Sequence, residues 1–206
     1  MGVLRLALED LHHADVLKRL VAGAAQGDVS AFTGAAAQIT WAGGWTDALR
    51  ALVSLGIVPG AIRDAFQAAW HCSASEEFGM KRTLTVDLLG QDRLLVDGLN
   101  VLLPPVRPDP MPRTLFQVRS LQDCRAGIVG AWWTPHRDYA TALWLTTSEI
   151  REHTGERVLL VTEAPATAVV YGTNNGIEVL LDPHRLKTVR VVGQYAPDRD
   201  DENTAA

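Results

Sequence analysis

Three observations predict an α+β chain with its helices first and its strands last. The first hundred residues carry apolar side chains at helical spacing. Five prolines then crowd into nine residues, Pro104-Pro-Val-Arg-Pro-Asp-Pro-Met-Pro112. Beyond them, short Val- and Leu-rich runs recur between turn residues. A helical N-terminal region followed by a compact mixed β domain accounts for that order. Proline rings block both helix and ladder hydrogen bonds, so 104–112 reads as an extended linker. It separates a mostly helical region, 1–103, from a domain spanning 113–195. The tail 196–206 holds four acids and no apolar anchor beyond Ala, and predicts disorder.

The elements follow in order. Residues 3–22 form an amphipathic pattern in which Leu4, Leu8, Leu11, Leu17, Leu20 and Val21 can share a face, with Gly23 and Gly27 near its end. Residues 29–44 are small and polar, and fit a loop or a short helix. A second helix runs from Trp45 to Leu55, where Gly56 stops it. Pro59 opens a third that continues to about Cys72, because proline suits the first helical turn. Ser73-Ala-Ser-Glu76 has the form of a capping box for a short fourth helix. The stretch 83–103 fits strands or a buried helix, and periodicity does not decide between them. Past the linker the patterns predict a strand (114–119), a short helix or turn (121–126), a strand (128–134) and a helix (136–153). Four strands follow at 157–163, 166–171, 177–181 and 187–194.

Composition excludes several functional classes. A hydrophobic content of 47% supports a buried core, and 206 residues suffice for one large domain or two small ones. A net charge of −5 gives no overall signature of nucleic-acid binding. No apolar run reaches transmembrane length, so no membrane partner is expected. Met1-Gly2-Val3-Leu4-Arg5-Leu6 is neither a secretion signal nor a myristoylation site. Cys72 and Cys124 lie far apart without metal-ligand neighbours, which fits reduced thiols in a cytoplasmic protein. His12-His13, beside Glu9, Asp10 and Asp15, reads as a solvated helix surface rather than a metal site, because adjacent residues do not share a helix face. His184, Arg185 and Lys187 make a small basic cluster that either touches a phosphate or decorates a turn.

The richest stretch is Thr173-Asn-Asn-Gly-Ile-Glu-Val-Leu-Leu-Asp-Pro183. Turn residues lead into a strand with a single carboxylate, Glu178, at its mouth. Burying that acid unpaired is expensive, so it faces solvent, a partner or a substrate. Two earlier segments give it company: Leu115-Phe-Gln-Val-Arg119-Ser120, and Gly130-Ala-Trp-Trp-Thr134-Pro-His-Arg-Asp-Tyr-Ala140. Each of Arg119, Thr134 and Glu178 also has a plain reading. Arg119 can cap a strand on a solvated face, Thr134 can be a helix N-cap, and Glu178 can be an exposed edge residue.

In that order the three segments resemble the Arg–Ser/Thr–Glu branch of the ADP-ribosyltransferase superfamily. Val118-Arg119-Ser120 is similar to the first-strand Tyr-Arg-Gly type of segment. Trp133-Thr134, with Ala140 in the following helix, is similar to the Ser-Thr-Ser strand and its recurrent Ala. Glu178-Val-Leu-Leu-Asp-Pro183 is similar to the run that holds the catalytic Glu. The resemblance covers roughly 112–195 and implies an ADP-ribosyltransferase-like domain that uses NAD as a substrate and transfers ADP-ribose to a macromolecule, protein or nucleic acid. Its setting would be toxin, phage or defence biology.

The same resemblance assigns roles. Arg119 would hold the diphosphate and Glu178 would hold the ribose and stabilise positive charge at the anomeric carbon, with Thr134 orienting Glu178. Arg119, Ser120, Trp133, Thr134 and Tyr139 would bind NAD, with Trp132, Trp133 or Tyr139 stacking on nicotinamide or walling the pocket. The helical half would recognise a partner protein or the target. One departure is Gly176, which stands where transferases acting on arginine or a nucleobase carry Glu or Gln. That leaves the acceptor open, with Asn174, Asn175 and Asp182 nearby, and admits NAD hydrolysis. A non-catalytic interaction module on the same fold is the rival reading. RNA 2′-phosphotransferase chemistry is a further one, with too few basic residues in strand positions to favour it.

Overall fold

A computed structural model describes residues 2–71, 85–103, 113–148, 155–172 and 176–195. The segment 73–76, the proline-rich stretch 104–112 and the tail 196–206 lie outside them. The chain divides into two compact units, Met1–Val106 and Arg107–Ala206, and the division falls within that proline-rich stretch. The order is α+β, with helices in the first unit and strands in the second.

In the first unit, α1 (Gly2–Gln26) ends where Gly27 adopts φ 73°, a left-handed conformation that costs glycine little. Asp28 then caps α2 (Val29–Ala36) by accepting the Ala31 N–H at 2.9 Å. A side chain at Gly23 would meet the Phe32 backbone nitrogen at 2.8 Å, so α1 and α2 approach as closely as glycine allows. The buried stripe of α1 is Val16, Leu20 and Ala24, at four-residue spacing. Leu8 and Leu11, expected on an apolar face, are 59% and 68% exposed. The helical pattern there is real, but the packing begins a turn later.

The other helices meet around large side chains. They are α3 (Gly44–Leu52), continued by a 3₁₀ turn at Val53–Leu55, then α4 (Gly60–His71) and α5 (Arg93–Leu102). Phe66 sits between Trp45 and Trp70, with ring centroids 5.7 and 5.2 Å away in tilted arrangements that suit aromatic quadrupoles. The part of 83–103 left open between strand and helix contains α5. Asp92 caps it, accepting the Leu94 N–H at 2.9 Å, and the Asp92 carboxylate also takes Arg50 at 2.7 Å. Leu95, Leu99 and Leu102 are buried while Leu94 is exposed, the helical period in a run that fitted strands or a buried helix. Gly98 lies against the Leu49 carbonyl, where a Cβ would collide, and this brings α3 and α5 together.

Among the described residues, the second unit forms two three-stranded antiparallel sheets. One has the order β1 (Arg113–Ser120), β3 (Arg157–Ala164), β6 (Val189–Tyr195). The other has the order β2 (Trp132–Trp133), β5 (Val179–Leu181), β4 (Val169–Gly172). Leu115, Val158, Leu160 and Ala164 from the first share one apolar cluster with Trp133, Val179 and Leu181 from the second. Leu159 and Val161 on the opposite face of β3 are also buried, which explains its unbroken apolar run. The β3–β6 register shifts between Leu159 and Leu160, so Val192 is an extra residue in β6, a bulge. The helices α6 (Leu121–Arg125) and α7 (Arg137–Ser148) follow β1 and β2. The strand expected over 128–134 pairs as β2 only at Trp132–Trp133. The strand expected over 166–171 begins at Val169, after a 3₁₀ turn at Ala166–Ala168.

Candidate functional site

The polar side chains of the second unit that converge do so around β1, β2 and the mouth of β5. Strand alternation puts Leu115, Gln117 and Arg119 on one face of β1. Gln117 is buried and uses both ends of its amide. Its Oε1 accepts the Gly130 N–H at 3.1 Å and its Nε2 donates to the Trp132 carbonyl. One side chain thus takes the place of ladder bonds and holds 130–132 to β1. Arg119 lies alongside, half-buried, with its Nε shielded from solvent. A Cβ at Gly130 would stand 3.0 Å from the Arg119 Cζ and 2.5 Å from the Gln117 Nε2. Glycine at 130 is what lets the guanidinium and the amide lie against this backbone.

Thr134 follows β2 and is buried. Its backbone pairs with Phe116 of β1 through two bonds, N–H to the Phe116 carbonyl at 3.0 Å and carbonyl to the Phe116 N–H at 2.7 Å. Its hydroxyl accepts the His136 N–H at 3.1 Å, which turns the chain at Pro135 into α7. Trp132 pairs with Leu180 and Trp133 with Val179, so one further step in that register sets Glu178 opposite Thr134. Phe116 and Thr134 thus pair, and Glu178, the residue before β5, lies in line with them by extension of that register. Arg119 lies three residues further along β1, about 10 Å at strand rise, and by alternation on the face opposite Phe116.

Glu178 is half-buried, two residues after Gly176, which turns the chain with φ 67°. The Tyr139 hydroxyl, from the first turn of α7, donates to the Glu178 Oε1 at 3.4 Å. Burial pushes the Tyr139 phenol above its ordinary ionisation range, and the Glu178 charge and hydrogen bond push it further the same way. The phenol is thus held in its donor form.

The remaining predicted residues serve the scaffold in ways the geometry makes plain. Trp133 is 2% exposed, belongs to the apolar cluster and donates its indole N–H to the Gly130 carbonyl at 2.9 Å. Trp132 beside it is only half-buried. The Ser120 hydroxyl accepts the Asp123 N–H at 2.9 Å and caps α6. Asp182 is buried, accepts the His184 N–H at 2.9 Å and pairs with Arg185 at 3.1 Å. Arg185 also donates to the Thr167 carbonyl at 3.1 Å, so it ties two turns together. Asn174 and Asn175 lie outside the described residues. His13 stacks on Trp41 at a centroid distance of 4.0 Å, and no group of metal-ligating side chains forms among the described residues. No helix among the described residues is long and apolar enough to cross a membrane.

The sequence reading did not single out Gln117 or the Tyr139–Glu178 contact. For Gln117 a signal existed: an amide two residues from Leu115 and two from Arg119 lies on the inward face of its strand. Comparisons with protein-family models, with curated proteins and with solved structures return no match.

Proposed function

We propose that the second unit is a mono-ADP-ribosyltransferase that cleaves NAD, with Glu178 as its catalytic carboxylate. The observation that carries this reading is Glu178 at the mouth of β5, in line with Thr134 by register and with a phenol donor on its carboxylate. A carboxylate so restrained suits the task of opposing positive charge that develops on a sugar. In the reaction, the C–N bond between ribose and nicotinamide breaks and its electron pair goes to the ring nitrogen. Nicotinamide leaves as a neutral pyridine. The oxocarbenium-like centre is stabilised electrostatically by Glu178. An acceptor nucleophile then bonds to the anomeric carbon and loses its proton. Arg119 offers the diphosphate two parallel hydrogen bonds. The acceptor is a macromolecule recognised with help from the helical unit.

Nicotinamide release against NAD concentration tests this. Glu178→Gln keeps size but removes the charge, and should lower kcat by about 10²–10³-fold. Arg119→Ala removes a contact made before and during reaction, so KM for NAD should rise more than kcat falls. An undiminished rate in Glu178→Gln would put the chemistry elsewhere. No release from the wild type, with or without cell extract as a source of acceptor, would make the unit a non-catalytic interaction module.

A further inference from the structure

A carboxylate at the mouth of a strand is not aimed by the strand. Glu178 has three side-chain torsions, and the chain before it turns at Gly176. Some donor must choose its rotamer. The nearest hydroxyl by register is that of Thr134, whose oxygen takes the His136 N–H. That bond and Pro135 set the direction of α7, which continues with the Ala140 N–H donating to the His136 carbonyl at 3.0 Å. Tyr139 comes in the first turn that results, between the exposed Asp138 and the buried Ala140. A phenol has two torsions and a rigid ring, so once the helix is placed its hydroxyl has few positions to occupy. Its oxygen sits 3.4 Å from Glu178 Oε1.

We propose that Tyr139 is a positioning residue that aims the Glu178 carboxylate, and that Thr134 acts on Glu178 at one remove, by building the turn that places Tyr139. The inference rests on the proposed NAD-cleaving site for its catalytic consequence, but not for the contact itself. A neutral phenol donates and a carboxylate only accepts, so the pair has one polarity. At 3.4 Å the bond is long for O–H···O. It restrains one oxygen of the carboxylate, and such bonds commonly shorten when a site fills. No proton is transferred. Tyr139 stays a donor throughout because its surroundings raise its ionisation.

Two measurements on the full chain decide it. The first needs no NAD. Tyrosine labelled at Cζ is titrated by NMR, and Tyr139 is assigned with Tyr139→Phe. Its ionisation should lie above the ordinary range in the wild type and fall in Glu178→Gln, though not fully, since burial persists. Thr134→Val should also lower it, and Thr134→Ser should not. A Tyr139 titration unmoved by Glu178→Gln overturns the contact. One moved by Glu178→Gln but unmoved by Thr134→Val overturns the role of the turn.

The second measurement is nicotinamide release. Tyr139→Phe should lower kcat by about 10- to 100-fold, the range for a hydrogen bond to a charged group, with KM for NAD within about twofold. Thr134→Val should cost a similar factor, and the double variant should be no worse than Tyr139→Phe alone. An unchanged kcat in Tyr139→Phe overturns the aiming role. Wild-type protein that releases no nicotinamide strikes the proposed function alone, and the titration then decides the pairing.

Discussion

The two units bury different things. The largest fully buried side chains among the described residues, Trp70, Phe32 and Phe66, belong to the first unit, while fully buried leucines occur in both. The second unit buries Gln117, Thr134, Thr162 and Asp182 alongside its aliphatic residues, Trp133 and Tyr171, where the first buries only Thr46 and Thr85 among polar residues described, and each of those four has hydrogen-bond partners. Apolar volume stabilises without regard to direction, whereas hydrogen bonds fix direction at modest net stability. The first unit therefore reads as packing, and the second as a frame that holds particular atoms in particular places. Gly98 and Gly130 show the same contrast. One omits a side chain so that helix backbones touch, and the other so that an arginine and an amide can lie flat.

The sharpest way to break this contrast is Phe66→Ala. It removes the ring between Trp45 and Trp70 and should cost about 3–5 kcal/mol of stability in urea unfolding. A loss under about 1 kcal/mol would show that the aromatic cluster is loosely packed and that volume does not dominate the first unit.

Gln117→Leu probes the second unit. It keeps bulk but leaves the Gly130 N–H and the Trp132 carbonyl without their side-chain partner, at about 1–3 kcal/mol for each buried group left unmade. Hydrogen exchange at Gly130 should accelerate with it. Under the proposed function, KM for NAD should also rise, because the backbone beneath Arg119 moves. A stable variant with unchanged exchange would remove Gln117 from the frame.

Arg185→Ala is the mildest. The guanidinium is 46% exposed, and water screens its pairing with Asp182. The expected loss is about 0.2–1 kcal/mol, smaller in high salt. A loss above 2 kcal/mol would make this turn part of the core rather than its rim.

Elements specified by local pattern were legible in the sequence. Strand β3 is a run of Val and Leu closed by Pro165, and β1 alternates around Leu115 and Gln117, so both were expected within a residue or two of where they lie. The misreadings came from tertiary contacts. The N-terminal leucines share a helical face, yet Leu8 and Leu11 stay in solvent while Val16 and Leu20 are covered. The segment 128–134 has strand propensity throughout, but a side-chain amide replaces its ladder bonds before Trp132. At the candidate site, each strand carrying Arg119, Thr134 or leading from Glu178 could be read from turns and apolar runs. The Tyr139–Glu178 contact could not. Thirty-nine residues separate the pair, and their meeting depends on the rotation of α7 about its axis.

The extra residue in β6 bears on how the molecule behaves in concentrated solution. This strand lies at the end of its sheet, and Val191 and Val192 are 52% and 44% exposed. A flat outer strand with adjacent exposed valines would offer a second molecule a template for sheet extension. The extra residue opposite the Leu159–Leu160 step interrupts the two-residue repeat and increases local twist. Exposed Arg190 adds a charge beside it. Removing Val192 would restore the repeat, and with it a straight, greasy border at which copies of the chain could stack.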